Sequence, residues 1–212
     1  MMSADAGALL SELKTGDLVL FARQGLTSGL FKWLGRNACT HVGLVLRDPE
    51  DAEPRLWEAV REGPRRSTLV VRLAVRMAGF RGKMSARCLN RPLASAQSHN
   101  LDSLQQELAE RARAPGLLDL MGAADDGWLG GRRDKLGDPT DAELVAEAYQ
   151  RLGLLDDVAH GGLLPSAYRP RQFAEGRGLE LKNGYALGPE LLLRDAEHAD
   201  SWSRVSRRPA GA

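Results

Sequence analysis

The sequence predicts an α+β fold in which a mostly antiparallel sheet or half-barrel packs against helices on one side. Two observations support this prediction. Short apolar segments suited to strands alternate with turn residues between residues 17 and 89, and short strands joined by tight turns favour antiparallel pairing. A capped amphipathic helix follows at residues 139–152. The 212 residues fit a single domain, predicted over 1–195, with a polar tail at 196–212 that we expect to be disordered.

The first half of the chain is predicted to supply most of the sheet. Five runs predict strands, at residues 17–22, 40–46, 55–60, 68–73 and 83–89. The first is apolar enough to be buried, and the fourth alternates between apolar and polar residues. Short helical segments are predicted at 8–14, 24–37 and 74–79, of which 24–37 has apolar residues at helical spacing.

The second half is predicted to contain two longer helices. Leucines at helical spacing predict a helix over 100–112 with Asn100 as its N-cap. Residues 115–137 are rich in glycine and predict an irregular loop. The helix over 139–152 begins with a capping box, in which Thr140 is the N-cap and Glu143 lies three residues later.

The end of the chain carries a turn signal. Asn183-Gly184 is a dipeptide typical of tight hairpin turns. Residues 179–181 and 185–193 are therefore predicted to form a closing hairpin.

Composition excludes several classes of function. The chain has 29 basic and 28 acidic residues and a net charge of +1, which gives no electrostatic reason to expect nucleic acid as a partner. No run reaches the roughly 18 apolar residues that span a bilayer. No classical signal peptide begins the sequence, so we expect a cytoplasmic protein with reduced cysteines, although export by another route stays open. The oligomeric state does not follow from the sequence.

Three residues form a candidate site. His41 lies on an otherwise apolar strand, Glu58 lies on the next strand, and Asp141 lies in the first turn of the capped helix. A thiol hydrolase needs an imidazole base, a polar group that orients it, and a nucleophile. A helix N-terminus lowers the pKa of a thiol placed there, because the helix dipole favours negative charge. The sequence supplies an imidazole and two carboxylates at these positions, with no cysteine at the start of the helix.

The order of these motifs resembles the circularly permuted, papain-like branch of the NlpC/P60 superfamily of thiol hydrolases, of the YiiX/YebB-like type, from about residue 14 to residue 193. The resemblance implies that His41 is the base and that Glu58 orients it. The family pattern Cys-Ser-Glu-Leu-Val reads Asp-Ala-Glu-Leu-Val from Asp141. Gly16-Asp17 and a Tyr-x-Pro-x-x-Phe element at 168–173 match two further family motifs. The implied activity is cleavage of amide or acyl bonds in peptides, cell-wall peptides or lipids.

Asp141 at the nucleophile position implies a relative that has lost or altered its thiol chemistry. Such a relative retains a cleft for a small peptide-like or acyl-bearing ligand, and we expect neither a cofactor nor a metal. Two alternatives stay open: an active hydrolase that uses Cys39 or a metal-bound water, with His41, Glu58 and Asp141 as metal ligands, and a scaffold or interaction protein. Without the resemblance, His41 reads as a core histidine and Asp141 as ordinary helix capping.

Overall fold

The computed structural model describes residues 4–23, 39–48, 51, 53–62, 65–113, 140–176 and 178–194. The helix predicted at 24–37, the loop predicted at 115–137 and the tail predicted at 196–212 lie outside these residues. The division into one domain and a tail therefore stays a prediction. In the part of the chain that is described, no helix combines the length and the apolar character needed to cross a bilayer.

Six strands form one antiparallel sheet. The strands are β1 (Leu18–Arg23), β2 (His41–Leu46), β3 (Arg55–Glu62), β4 (Arg65–Arg72), β5 (Gly82–Leu89) and β6 (Leu187–Arg194). Their spatial order is β4-β3-β2-β1-β5-β6, and every neighbouring pair is antiparallel. All five strands predicted before residue 90 form, which confirms the α+β class and the antiparallel sheet.

Helices cover both faces of this sheet, so the prediction that they pack on one side is wrong. The helices are α1 (Ala4–Glu12), α2 (Leu73–Gly79), α3 (Ser95–Arg113), α4 (Asp141–Arg151) and α5 (Pro170–Glu175), with single 3-10 turns at Val158–His160 and Pro165–Ala167. Asn100 lies inside α3, which begins five residues earlier than predicted, so Asn100 is not its N-cap.

Two apolar cores follow from the alternation of side chains along the strands. Leu20 of β1 faces the core that α3, α4 and α5 cover, where Tyr149 is fully buried. Its neighbour Phe21 faces the opposite core, which Leu10 of α1 and Met77 of α2 cover. Because the central strands are apolar on both faces, both faces need a helical layer to exclude water.

β2 and β3 separate at the end that carries His41. β2 pairs with β1 from Leu44 back to His41, but within the described strands it pairs with β3 only over residues 44–46. His41, Val42 and Gly43 therefore have a strand partner on one side and a gap on the other. The N-terminus of α4 meets the sheet at this gap, where the side chain of Asp141 accepts a hydrogen bond from the backbone N–H of Val42.

Gly43 is buried where this gap closes, and its replacement should destabilise the fold. A Cβ there would lie 2.7 Å from Cδ1 of Leu56 and 3.3 Å from the carbonyl oxygen of Trp57, and Leu56 is fully buried. We expect Gly43→Ala to lower the free energy of unfolding by about 1–3 kcal/mol, measured by chemical denaturation. Gly7→Ala in α1 is the control, because a Cβ at Gly7 meets no atom within 4 Å. Equal stability of Gly43→Ala and the parent would contradict close packing at the gap.

Gly16 and Asp17 make the turn that leads into β1. Gly16 has a φ of 97°, which favours glycine, and its carbonyl accepts a hydrogen bond of 2.8 Å from the Tyr149 hydroxyl of α4. The buried carboxylate of Asp17 accepts hydrogen bonds from the backbone N–H groups of Lys14, at 2.7 Å, and Leu89, at 2.8 Å. The Gly-Asp dipeptide thus has a structural role, joining the start of β1 to β5 and α4.

The predicted closing hairpin is wrong, although its turn is present. Asn183 and Gly184 adopt positive φ values of 54° and 72°, but residues 179–181 form no strand. The strand after the turn, β6, pairs with β5 instead. The Asn183 side chain donates a hydrogen bond of 3.0 Å to the carbonyl of Gly153, so this segment docks on the end of α4.

Candidate active site

His41 is the first residue of β2 and lies at the gap between β2 and β3. Its ring lies 5.0 Å from the ring of Phe21, its partner on β1, measured between centroids. The side chain is 23% exposed. The imidazole is therefore packed on one side by the core and remains accessible to solvent.

Glu58 lies on β3 and is almost fully buried, with 2% of its side chain exposed. Its Oε2 lies 2.7 Å from Nε2 of His41, and its Oε1 accepts a hydrogen bond of 2.7 Å from Nε of Arg76 in α2. A buried carboxylate is tolerated only when charged or polar partners compensate for lost hydration. Glu58 has such a partner on each oxygen.

Asp141 is the first residue of α4, directly after the N-cap Thr140. The capping box predicted for Thr140 and Glu143 is present. Oδ2 of Asp141 lies 3.0 Å from Nδ1 of His41 and accepts a hydrogen bond of 3.1 Å from the backbone N–H of Val42. The helix dipole adds to these contacts in favouring a negative charge at this position.

The structure thus brings the three predicted site residues together in a row, Asp141–His41–Glu58, in which the imidazole lies between two carboxylates. His41 touches each carboxylate through a different ring nitrogen. Nε2 is hydrogen-bonded to Glu58, whereas Nδ1 and Oδ2 of Asp141 form an ion-pair contact at 3.0 Å. Two ionised carboxylates in contact with one imidazole stabilise its positive charge. The geometry therefore favours the imidazolium form of His41, which has no lone pair with which to act as a base. The catalytic roles of the three residues stay predictions.

The pKa values of the row follow from this arrangement. Burial lowers the pKa of His41, but the hydrogen bonds and charges of Asp141 and Glu58 outweigh burial, so the pKa is raised above 6.5. Burial raises the pKa of Glu58, yet hydrogen bonds from His41 and Arg76 bring it below its ordinary 4.5. Burial likewise raises the pKa of Asp141, but His41 and the backbone N–H groups of Val42 and Ala142 hold this pKa below 3.8.

The contribution of the row to stability therefore has a pH window. The raised pKa of His41 gives a contribution that is complete below about pH 6.5 and is lost as the pH rises through the folded-state pKa. The lowered pKa values of Glu58 and Asp141 give contributions that are complete above about pH 4.5 and are lost as the pH falls through their folded-state values. All three contributions are complete between these limits.

The titration of His41 should report its contact with Asp141. We expect the midpoint of the His41 imidazole, followed by NMR, to lie above 6.5 in the parent chain. It should fall in Asp141→Asn, because a neutral amide no longer favours the imidazolium. Asp157→Asn is the control, since Asp157 pairs with the distant, exposed His160, and it should leave the His41 midpoint unchanged. An unchanged His41 midpoint in Asp141→Asn would contradict the contact between His41 and Asp141.

Arg76 was not among the predicted site residues. It follows Glu58 by 18 positions and reaches it from α2 across one face of the sheet. A signal exists in the sequence: Arg76 lies three residues after Leu73 and next to Met77, both buried. An arginine on the apolar side of a short helix indicates a buried anionic partner, but the pattern does not identify that partner.

Cys39 is placed poorly for a nucleophile. It precedes β2 and lies at no helix N-terminus, and its thiol donates a hydrogen bond of 3.3 Å to the carbonyl of His41. Burial raises the pKa of Cys39 to about 11. The thiol is therefore protonated at neutral pH, whereas thiol chemistry needs the thiolate. These facts weigh against the alternative in which Cys39 replaces the missing nucleophile.

The row also differs from a metal site. The donors of a metal site converge on one point, whereas here each carboxylate meets a different nitrogen of the imidazole. In the described ranges no cluster of three or more His, Cys, Asp or Glu side chains is arranged to hold a metal ion. The geometry thus gives no support to the metal-bound water proposed as an alternative.

A small surface depression with a volume of only about 10 Å³ lies beside the site. Its wall includes Cys39, which precedes His41 by two residues, and Phe21, whose ring packs against the imidazole. Ala174 of α5 and the ion pair between Lys83 and Glu190 complete its rim. A volume of about 10 Å³ is roughly the space that one water molecule needs, so the depression does not enclose a ligand.

The Tyr-x-Pro-x-x-Phe element lies beneath α4. Pro170 begins α5, and both aromatic residues are buried. The ring of Phe173 lies 6.2 Å from that of Tyr149 and 6.0 Å from that of Tyr168, between centroids. The element therefore packs against the helix that carries Asp141.

Comparison with known proteins gives limited guidance. No protein-family model matches the chain, and no curated protein matches it. Among solved structures, the chain is similar to the crystal structure of metalloprotein yiiX from Escherichia coli O157:H7. The identity is 16% over 85% of this chain and 89% of that chain, with a TM-score of 0.42. This TM-score is too low to support an inference about the site, so the proposals below rest on the geometry of this chain.

Proposed function

We propose that this chain is a relative of the permuted papain-like hydrolases that no longer hydrolyses through a thiol and instead binds a small peptide-like or acyl-bearing ligand. One observation carries the proposal: the imidazole of His41 is held by Glu58 on one nitrogen and meets Asp141, at a helix N-terminus, on the other. This is the order of orienting group, base and nucleophile that a thiol hydrolase needs, with a carboxylate in the nucleophile position.

The chemistry of Asp141 explains the loss of turnover. Its pKa is held low by contacts from His41 and the backbone, and a carboxylate in such contacts is a poor nucleophile toward an amide. Attack would also form an anhydride rather than the usual thioester. With both nitrogens of His41 committed to carboxylates, the imidazole does not activate water either.

The ligand would lie over the accessible face of His41, whose side chain is 23% exposed, and across the small depression beside it. The depression is lined by apolar groups of Leu20, Phe21 and Ala174, with Ser85 and the Lys83–Glu190 pair as polar groups. These groups offer an apolar contact with polar neighbours to an acyl chain or side chain that lies across the surface.

Turnover and binding assays test the proposal separately. We expect the parent chain to hydrolyse neither N-acyl dipeptides nor activated acyl esters faster than its His41→Ala variant does. We also expect an N-acyl dipeptide to raise the melting temperature of the parent but not of Ala174→Trp, whose indole would cover the depression beside His41. Turnover by the parent that His41→Ala abolishes would overturn the loss of activity. The absence of any thermal shift across a panel of acyl chains would favour a scaffold function instead.

A further inference from the structure

We propose that Arg76 is a positioning residue of this site: it fixes the carboxylate of Glu58 from the side opposite His41 and so sets the orientation and the charge of the imidazole. This goes beyond the proposed function, because it rests on the geometry of the row and holds whatever ligand the site takes.

The two oxygens of Glu58 have separate partners. Arg76 donates from Nε to Oε1 at 2.7 Å, and Nε2 of His41 meets Oε2 at 2.7 Å. Rotation of the carboxylate would break both contacts. Because only 2% of the Glu58 side chain is exposed, little water is available to replace them. Arg76 thereby restrains the carboxylate plane, and the carboxylate in turn restrains the imidazole.

The guanidinium itself packs against a pair of aromatic rings that also contact each other. Its Cζ lies 5.0 Å from the ring centroid of Phe21 and 5.5 Å from that of Phe80, within the range of cation–π attraction. Phe21 also packs against His41. The Phe21 ring therefore contacts both Arg76 and His41, and a planar guanidinium stacks on an aromatic ring better than a lysine ammonium does.

Charge balance gives Arg76 an effect on proton affinity. Among the described residues, the charged groups that face His41 are Asp141 from α4 and Glu58 from β3, and Arg76 from α2 faces Glu58. With His41 protonated, two anions balance two cations. Loss of the His41 proton leaves one excess negative charge when Arg76 is present and two when it is absent. Removing Arg76 therefore makes deprotonation of His41 less favourable.

NMR on the full chain tests the role. We expect Arg76→Gln to raise the titration midpoint of His41 and to speed the exchange of its Nε2 proton with water. Arg76→Lys keeps the charge and should restore the midpoint, while the Nε2 proton still exchanges faster than in the parent. Arg72→Gln is the matched control: it removes the same charge from an exposed pair with Glu53, at 3.6 Å, and should change neither reading.

Three results would overturn the proposal. The first is an unchanged midpoint in a folded Arg76→Gln protein, and the second is an equal shift in Arg72→Gln. The third concerns Arg76→Lys and applies even if Arg76→Gln does not fold. If the Nε2 proton of His41 exchanges as slowly in Arg76→Lys as in the parent, Arg76 is not a positioning residue. None of these measurements depends on hydrolysis or ligand binding, so their outcome is independent of the proposed function.

Discussion

Asp141→Cys is expected to create a reactive thiolate–imidazolium pair between residue 141 and His41. The new sulfur would stand at the N-terminus of α4, in place of a carboxylate whose Oδ2 lies 3.0 Å from Nδ1 of His41. An imidazolium and a helix dipole both lower a thiol pKa. A fall of about two units from about 8.5 raises the thiolate fraction near pH 6 roughly 100-fold. The weaker nucleophilicity of a low-pKa thiolate reduces the gain in alkylation rate to roughly tenfold.

The measurement is the rate of iodoacetamide labelling near pH 6, with the labelled residue located by peptide mass. The two native thiols add little background, because burial raises the pKa of Cys39 and of Cys88 to about 11. Asp141→Cys combined with His41→Ala is the matched control and should lose the gain. Equal rates in the two variants would show that the imidazole does not reach position 141.

Removal of the charge on Glu58 is expected to give the largest loss of stability. Glu58→Gln keeps the shape of the side chain but leaves Arg76 without its buried anion and His41 with Asp141 alone. Breaking a buried ion pair from one side typically costs about 3–5 kcal/mol. Because Arg76 and His41 are 30% and 23% exposed, water compensates in part, and we expect a loss of about 2–4 kcal/mol.

Urea denaturation near pH 6, inside the window in which the whole row is charged, measures this loss. Glu53→Gln is the matched control, since Glu53 pairs with Arg72 at 3.6 Å and both side chains are more than half exposed. Exposed pairs contribute roughly 0–1 kcal/mol, so the control should remain close to the parent. A Glu58→Gln variant as stable as Glu53→Gln would mean that the buried carboxylate is not paired as described.

Local signals in the sequence predicted much of the fold and of the site. Apolar runs located five strands, and the Thr140–Glu143 capping box located the start of α4. These features depend on residues close in the chain, so single-sequence patterns capture them. The same patterns assigned His41, Glu58 and Asp141 to two strands and a helix start, but their selection as a site came from the family resemblance.

Contacts between distant segments were harder to predict. Asn183-Gly184 is a turn, as predicted, but its flanking residues pair with β5 and with the end of α4 rather than with each other. The spacing of apolar residues along a strand does not indicate whether helices cover one or both faces of the sheet. The second helical layer was therefore not predicted. Arg76 was missed for a related reason: its partner is 18 residues away, on another element, and no spacing rule links the two.

The central claim is that the imidazole of His41 lies between two carboxylates, with a proton on each nitrogen. The most direct measurement is NMR of the ring N–H protons of His41 near pH 6, where all three charges are present. We expect two slowly exchanging signals, with the Nδ1 proton lost from view in Asp141→Ala and the Nε2 proton lost in Glu58→Gln. A single ring-proton signal in the parent, or two signals that remain unchanged in both Asp141→Ala and Glu58→Gln, would contradict the claim.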